Sequence, residues 1–155
     1  MEADEFDLVA RRYCRWVELS DELDRDRFLR ELERHLAALY LAAIDLPPGD
    51  ADEPDAPPSM THDEGQVLSR RLSEKLGDAD YYRLIFDPHR ADPEVTASLA
   101  EDVVDIYRDL RDGFALLEAG GSHEGAVWEW RFGFDSHWGR HAAHSLYAVR
   151  VLTRG

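Results

Sequence analysis

A single cysteine, Cys14, is all the thiol the chain has, so no disulfide can close within it and no cysteine cage for zinc can be built from it. Cations are scarce: 18 Lys and Arg stand against 33 Asp and Glu, a formal net charge of -15. A field of that sign repels phosphate backbones instead of releasing their counterions, which argues against ordinary nucleic-acid binding. Long apolar runs are missing, so no membrane span is expected, and Met1-Glu2-Ala3-Asp4-Glu5 has neither the positive charge nor the apolar stretch of a secretory leader. A cytoplasmic location is the expectation. Also missing are a glycine-rich loop ending in Gly-Lys-Ser/Thr, a Gly-x-Gly-x-x-Gly turn and a Gly-x-Ser-x-Gly elbow. With them go the usual marks of nucleotide and serine-hydrolase chemistry.

What is present fits one soluble domain over residues 1–155, with 44% hydrophobic and 33% charged residues. Phe6, Val9, Tyr13, Trp16 and Val17 recur every three or four positions, the stripe of an amphipathic helix over roughly residues 4 to 19. Ser20 and Asp24 offer capping oxygens ahead of a second stripe, Phe28, Leu29, Leu32, Leu36, Leu39, Tyr40 and Ala43, ending near Asp45. From Leu46 to Met60 five prolines and several acids predict an exposed, acidic, Pro-rich loop. Thr61 and Glu64 form a capping box for a third helix, whose thin edge of Val67, Leu68, Leu72 and Leu76 makes it an outer cover that stops at Gly77.

The cluster Tyr81, Tyr82, Leu84, Ile85 and Phe86 is too short for periodicity to separate strand from helix, and a short helix plugging the core is expected. Asp92-Pro93 predicts the start of a fourth helix carrying Val95, Leu99, Val103, Ile106, Leu110, Phe114 and Leu117 and closing at Gly120-Gly121. Ser122 opens a long fifth helix with Val127, Trp128, Phe132, Trp138, Ala142, Leu146, Val149 and Leu152. Gly133 and Gly139 inside it predict a kink or, preferably, close contact with a neighbouring helix. The expected architecture is all-α: an antiparallel bundle of four to five helices with short extra helical turns and one long loop.

Chemistry concentrates in Trp128 to His144. His137, His141 and His144 stand four and three residues apart, a helical spacing that lets imidazoles share one ion. Asp102, Asp105 and Asp109 on the fourth helix, or Glu129, could supply carboxylates. The plain alternative makes Trp128, Phe132 and Trp138 core anchors, pairs Arg131 with Asp135, and gives Arg140 an acid on the fourth helix. Asp102 and Asp109 would then receive guanidinium groups from Arg131 or Arg140. Glu101, Asp102, Asp105, Asp109 and Asp112 also have a plain reading, as a solvated face balanced by Arg108 and Arg111. Cys14, among apolar neighbours, reads as a small buried hydrophobe.

Tyr81-Tyr82 through Phe86-Asp87-Pro88, Ser98-Leu99-Ala100-Glu101-Asp102 through Ile106-Tyr107-Arg108-Asp109-Leu110, and Val127 to His144 together resemble a bacterial family known as domain of unknown function 5063. The resemblance covers most of the chain; Trp128-Glu129-Trp130-Arg131 and His137-Trp138-Gly139-Arg140-His141 are its distinctive phrases. It implies a small helical bacterial protein and brings no activity, substrate or catalytic residue with it.

The leading functional expectation is therefore a non-enzymatic protein-interaction module that presents Trp128, Glu129, Arg131, Asp135, Arg140, Asp102 and Asp109 to a partner with a basic patch. Its alternative is a divalent metal or small ligand held between the last two helices by His137, His141 and His144 with Asp102, Asp105, Asp109 or Glu129. A third reading, an acidic DNA mimic, requires carboxylates in rows at phosphate spacing.

Overall fold

The computed structural model describes residues 3–51 and 58–154. In chain order the elements are α1 (Ala3–Glu18), α2 (Arg25–Ile44), α3 (His62–Leu76), β1 (Tyr81–Ile85), β2 (Glu94–Ser98), α4 (Leu99–Glu118), α5 (His123–Gly133) and α6 (Gly139–Thr153). A π-helical turn, Phe134–Trp138, joins α5 to α6, and short 3-10 turns occupy Ser20–Glu22 and Gly77–Ala79.

The helices follow from their stripes and caps. On α1, Phe6, Ala10, Tyr13 and Val17 are buried, and the Tyr13 hydroxyl donates to the Val103 carbonyl at 2.8 Å, fastening α1 to α4. Asp24 rather than Ser20 caps α2, accepting from the Arg27 amide. Leu32, Leu36 and Leu39 are fully buried, and α2 packs along α6 while α4 packs against α3, α5 and α6. The Thr61–Glu64 capping box is formed at the head of α3. As a cover helix α3 buries Leu72 and Leu76 and leaves Val67 exposed. Among the described residues no helix is long and apolar enough to cross a membrane.

Residues 81–86 are not a helix, so the chain is not strictly all-α. β1 and β2 form an antiparallel hairpin pairing Tyr81 with Ser98, Tyr82 with Ala97, Arg83 with Thr96, Leu84 with Val95 and Ile85 with Glu94. Aromatic and β-branched side chains favour a pleated ribbon, and along β1 burial alternates, with Tyr82 and Leu84 turned inward. Helix α4 consequently starts at Leu99, later than Asp92-Pro93 suggested, and Val95 lies in a strand. The device that starts it is Asp80. Its buried carboxylate accepts from the Ser98 hydroxyl at 2.9 Å and the Ala100 amide at 2.8 Å through one oxygen, and from the Ser73 hydroxyl at 2.6 Å through the other. Ser98 in turn caps the Glu101 amide.

The Pro-rich loop falls partly outside the described residues, since 52–57 are not among them. Its two ends are docked. Leu46 is buried and its carbonyl accepts from Arg131, while Ser59 donates to Asp112 from its amide at 2.9 Å and its hydroxyl at 2.7 Å.

The long terminal helix runs through Gly133 and Gly139 without a break. A Cβ on Gly139 would overlap the Phe134 carbonyl oxygen of its own π turn, so this glycine makes room within its helix and not for a neighbour. The core anchors also differ from expectation. Trp130 and Trp138 are fully buried, whereas Phe132 is 56% exposed and Trp128 only half-buried, stacked on Phe132. Trp128, Trp130 and Phe132 lie on different faces of α5, and periodicity alone does not choose between them.

Candidate metal centre

Where α4 passes α6, three aspartates one helical turn apart meet two histidines four residues apart. Asp102 is buried, and both its oxygens are engaged. One lies 2.6 Å from His141 Nδ1 and the other accepts the Tyr82 hydroxyl at 2.5 Å. Asp109 Oδ2 lies 2.6 Å from His137 Nδ1. A carboxylate only accepts, so each Nδ1 carries the proton and each Nε2 is left as a lone-pair donor.

His137 and His141 come together beside Asp105. His141 Nε2 is 3.6 Å from Asp105 Oδ2, and the two imidazole rings stand edge to face with centroids 4.8 Å apart. One donor atom from each of Asp105, His137 and His141 lies within 4.8 Å of the others. A four-coordinate ion with bonds of about 2.1 Å holds its donors roughly 3.5 Å apart, so a small closure of three half-buried side chains would seat one. The Arg108 guanidinium bonds the remaining Asp105 oxygen at 3.3 Å.

Electrostatics follow from this packing. At His141 burial disfavours the charged ring, but the hydrogen bond and charge of Asp102, with the charge of Asp105, outweigh it and leave the pKa above the usual 6.5. Burial raises Asp109, partly offset by its bond to His137. Burial and the Asp102 carboxylate push the Tyr82 phenol up, which keeps it a donor.

The π turn sets the spacing. π turns insert one residue into an α-helix and recur at functional sites; here the turn carries His137 and delivers Trp138 into the core, where its indole donates to the Trp130 carbonyl at 3.0 Å. His144, one turn beyond His141, leaves the cluster. It lines a groove of about 430 Å³ between the hairpin and α6, with Tyr81, Tyr82, Leu99, Tyr147 and Leu152, and burial lowers its pKa.

The remaining sequence candidates are dispersed. Arg131 pairs with Asp135 at 3.1 Å as expected, yet it reaches Leu46 and not an aspartate of α4. Arg140 lies over the Phe86 ring, 4.2 Å from its centroid, in place of an acid. Asp102 and Asp109 thus hold imidazoles, not guanidinium groups. Glu129 is exposed on α5, and the Trp128 backbone lies against Gly49 at the start of the Pro-rich loop. Two participants escaped the sequence reading: Tyr82, whose strand was read as a helix, and Arg108, read as a surface counter-charge. His123, without pattern in the sequence, sits 3.0 Å from Asp7 and ties the start of α1 to that of α5.

The family described as Domain of unknown function (DUF5063) matches over residues 1–154. The crystal structure of protein BF1032 from Bacteroides fragilis is similar to this chain with a TM-score of 0.81 and 22% sequence identity, over 96% of this chain and 89% of that one. At that identity the likeness shows a shared fold alone. No curated protein matches the chain.

Proposed function

This chain belongs to the family described as domain of unknown function 5063, and from that premise we propose that it binds one divalent transition-metal ion through Asp105, His137 and His141. The observation that carries the reading is the pair of aspartates behind the histidines. Asp102 and Asp109 each hold an imidazole by Nδ1 at 2.6 Å, the carboxylate–histidine arrangement that fixes the tautomer, orients the ring and raises its basicity toward a metal. Two imidazoles and one carboxylate suit zinc, iron(II), cobalt(II) or manganese, and three protein donors leave coordination positions open to water or a ligand. The test is elemental analysis of tag-free protein from media supplemented with each metal. One ion per chain is expected, falling below a tenth of that in His137→Gln, His141→Gln and Asp105→Asn. An empty wild-type protein under every supplementation retires the proposal.

A second reading, the protein-interaction module, is favoured by a different observation. The hairpin groove is rimmed by Tyr81, Tyr147 and Leu152, with Tyr147 72% exposed. Apolar side chains rimming a groove on an acidic protein suit a partner with an apolar ridge and basic flanks. Tyr147→Asp would abolish such an association at low and high salt alike; an unchanged set of co-purifying proteins would remove its support.

A further inference from the structure

Against the α3 side of Asp105 lies a polar cleft of about 180 Å³, lined by His62, Gln66, Ser69, Glu101 and Arg108. Its walls carry an imidazole, an amide, a hydroxyl and a guanidinium beside the carboxylates of Glu101 and Asp105. The guanidinium is held in place twice. It bonds Asp105 Oδ1 at 3.3 Å, and its other terminal nitrogen lies flat against Gly65 of α3, where any Cβ would overlap it. Gly65 is buried in the first turn of α3, so the missing side chain is what admits the fork. Arginine has five N–H donors in a fixed plane, and one bond to Asp105 leaves most of them for the cleft.

We infer that this cleft binds a tetrahedral oxyanion, inorganic phosphate or the terminal group of a phosphomonoester, held by Arg108 beside the ion at Asp105. The inference rests on the metal reading above. Asp105 is the hinge of the geometry, since one oxygen faces His141 and the other faces Arg108. An oxyanion beside it meets a cation on either hand, and the guanidinium fork matches its oxygens in pairs. The carboxylates of Asp102 and Asp109 are spent on imidazole N–H groups, and Glu101 at the rim can accept from a protonated phosphate oxygen.

The test uses the full-length protein loaded with cobalt(II), whose visible spectrum reports changes in coordination. Inorganic phosphate and, separately, methyl phosphate are titrated with calorimetry alongside. Saturable binding with a spectral change is expected for at least one of them, weakened at least tenfold in metal-free protein and in Arg108→Gln at saturating cobalt. Gly65→Ala, which keeps the charge but displaces the fork, should weaken it in the same sense. Preference between the two ligands identifies the source of the phosphate. Cobalt that binds at one per chain without any phosphate response, or an Arg108→Gln protein that binds as tightly as wild type, overturns the inference and leaves the metal reading standing. Failure to bind cobalt or any other divalent ion overturns both.

Discussion

His141 and Asp102 meet at 2.6 Å across the contact between α6 and α4, and the carboxylate involved is the most buried acid of the site. The contact joins a helix-packing interface to the donor set, since His141 presents its other nitrogen to Asp105. Tyr82 closes the far side of Asp102 and makes the hairpin part of the same network.

Trp130 is expected to dominate the stability of the terminal helix. Its ring packs against Phe6 and Phe114 at 5.2 and 4.9 Å, and its indole donates to the Leu110 carbonyl. Trp130→Ala should cost about 3–5 kcal/mol, as large-to-small core changes do, while Phe132→Ala, half in solvent, should cost under about 1 kcal/mol. Urea unfolding followed by circular dichroism separates the two; equal losses would contradict the burial assigned to them.

Asp80→Ala should leave the Ser73 and Ser98 hydroxyls and the Ala100 amide without their acceptor. Each orphaned buried donor costs about 1–3 kcal/mol. Unfolding midpoints should therefore fall much further than for Thr61→Ala, an exposed cap worth about 1 kcal/mol.

Cys14 should be unreactive in the folded protein. Burial pushes its thiol up to about 12, so almost no thiolate, the reactive form, exists near neutrality. A thiol reagent should label it only as fast as the chain unfolds, and prompt labelling without denaturant would contradict the placement.

His35, flanked by Trp16 and Tyr13, has its pKa lowered below the usual 6.5 by burial, with Arg12 adding to the effect and Glu31 opposing it. A folded pKa below the unfolded one means that protonation favours the unfolded chain. Its contribution to stability is whole above pH 6.5 and is lost as pH falls through the lower folded value. Denaturation between neutral and mildly acidic pH should show a slope that His35→Gln reduces.

Helices α2, α3 and α5 were legible because each has a stripe at three- and four-residue spacing and a cap that the fold uses: Asp24, Thr61 and Ser122 all accept an amide of the first turn, whereas α4 is capped by Ser98 in place of Asp92. The hairpin was not, because five apolar residues carry both readings and Asp92-Pro93 imitates a helix start. What decided it was Asp80, a distant acceptor whose partners at 98 and 100 no local pattern announces. At the site, spacing brought Asp102, Asp105, Asp109, His137 and His141 into one set. It did not reveal which base each acid holds, since arginine and histidine lie on neighbouring faces and only their depth in the packing separates them.

The surplus residue of the π turn sets a tolerance on chain length. Each residue of an α-helix advances the direction of its side chains by about 100°, whereas the wider π turn, with its i→i+5 bonds, advances each by less and so absorbs one extra residue. Excising one position between 134 and 138 would let the segment rewind as plain α-helix and keep His141 and Val149 close to their present faces. The same deletion at Arg140, in regular helix with no residue to spare, would swing everything after it, carrying His141 off Asp102 and Val149 out of the interior.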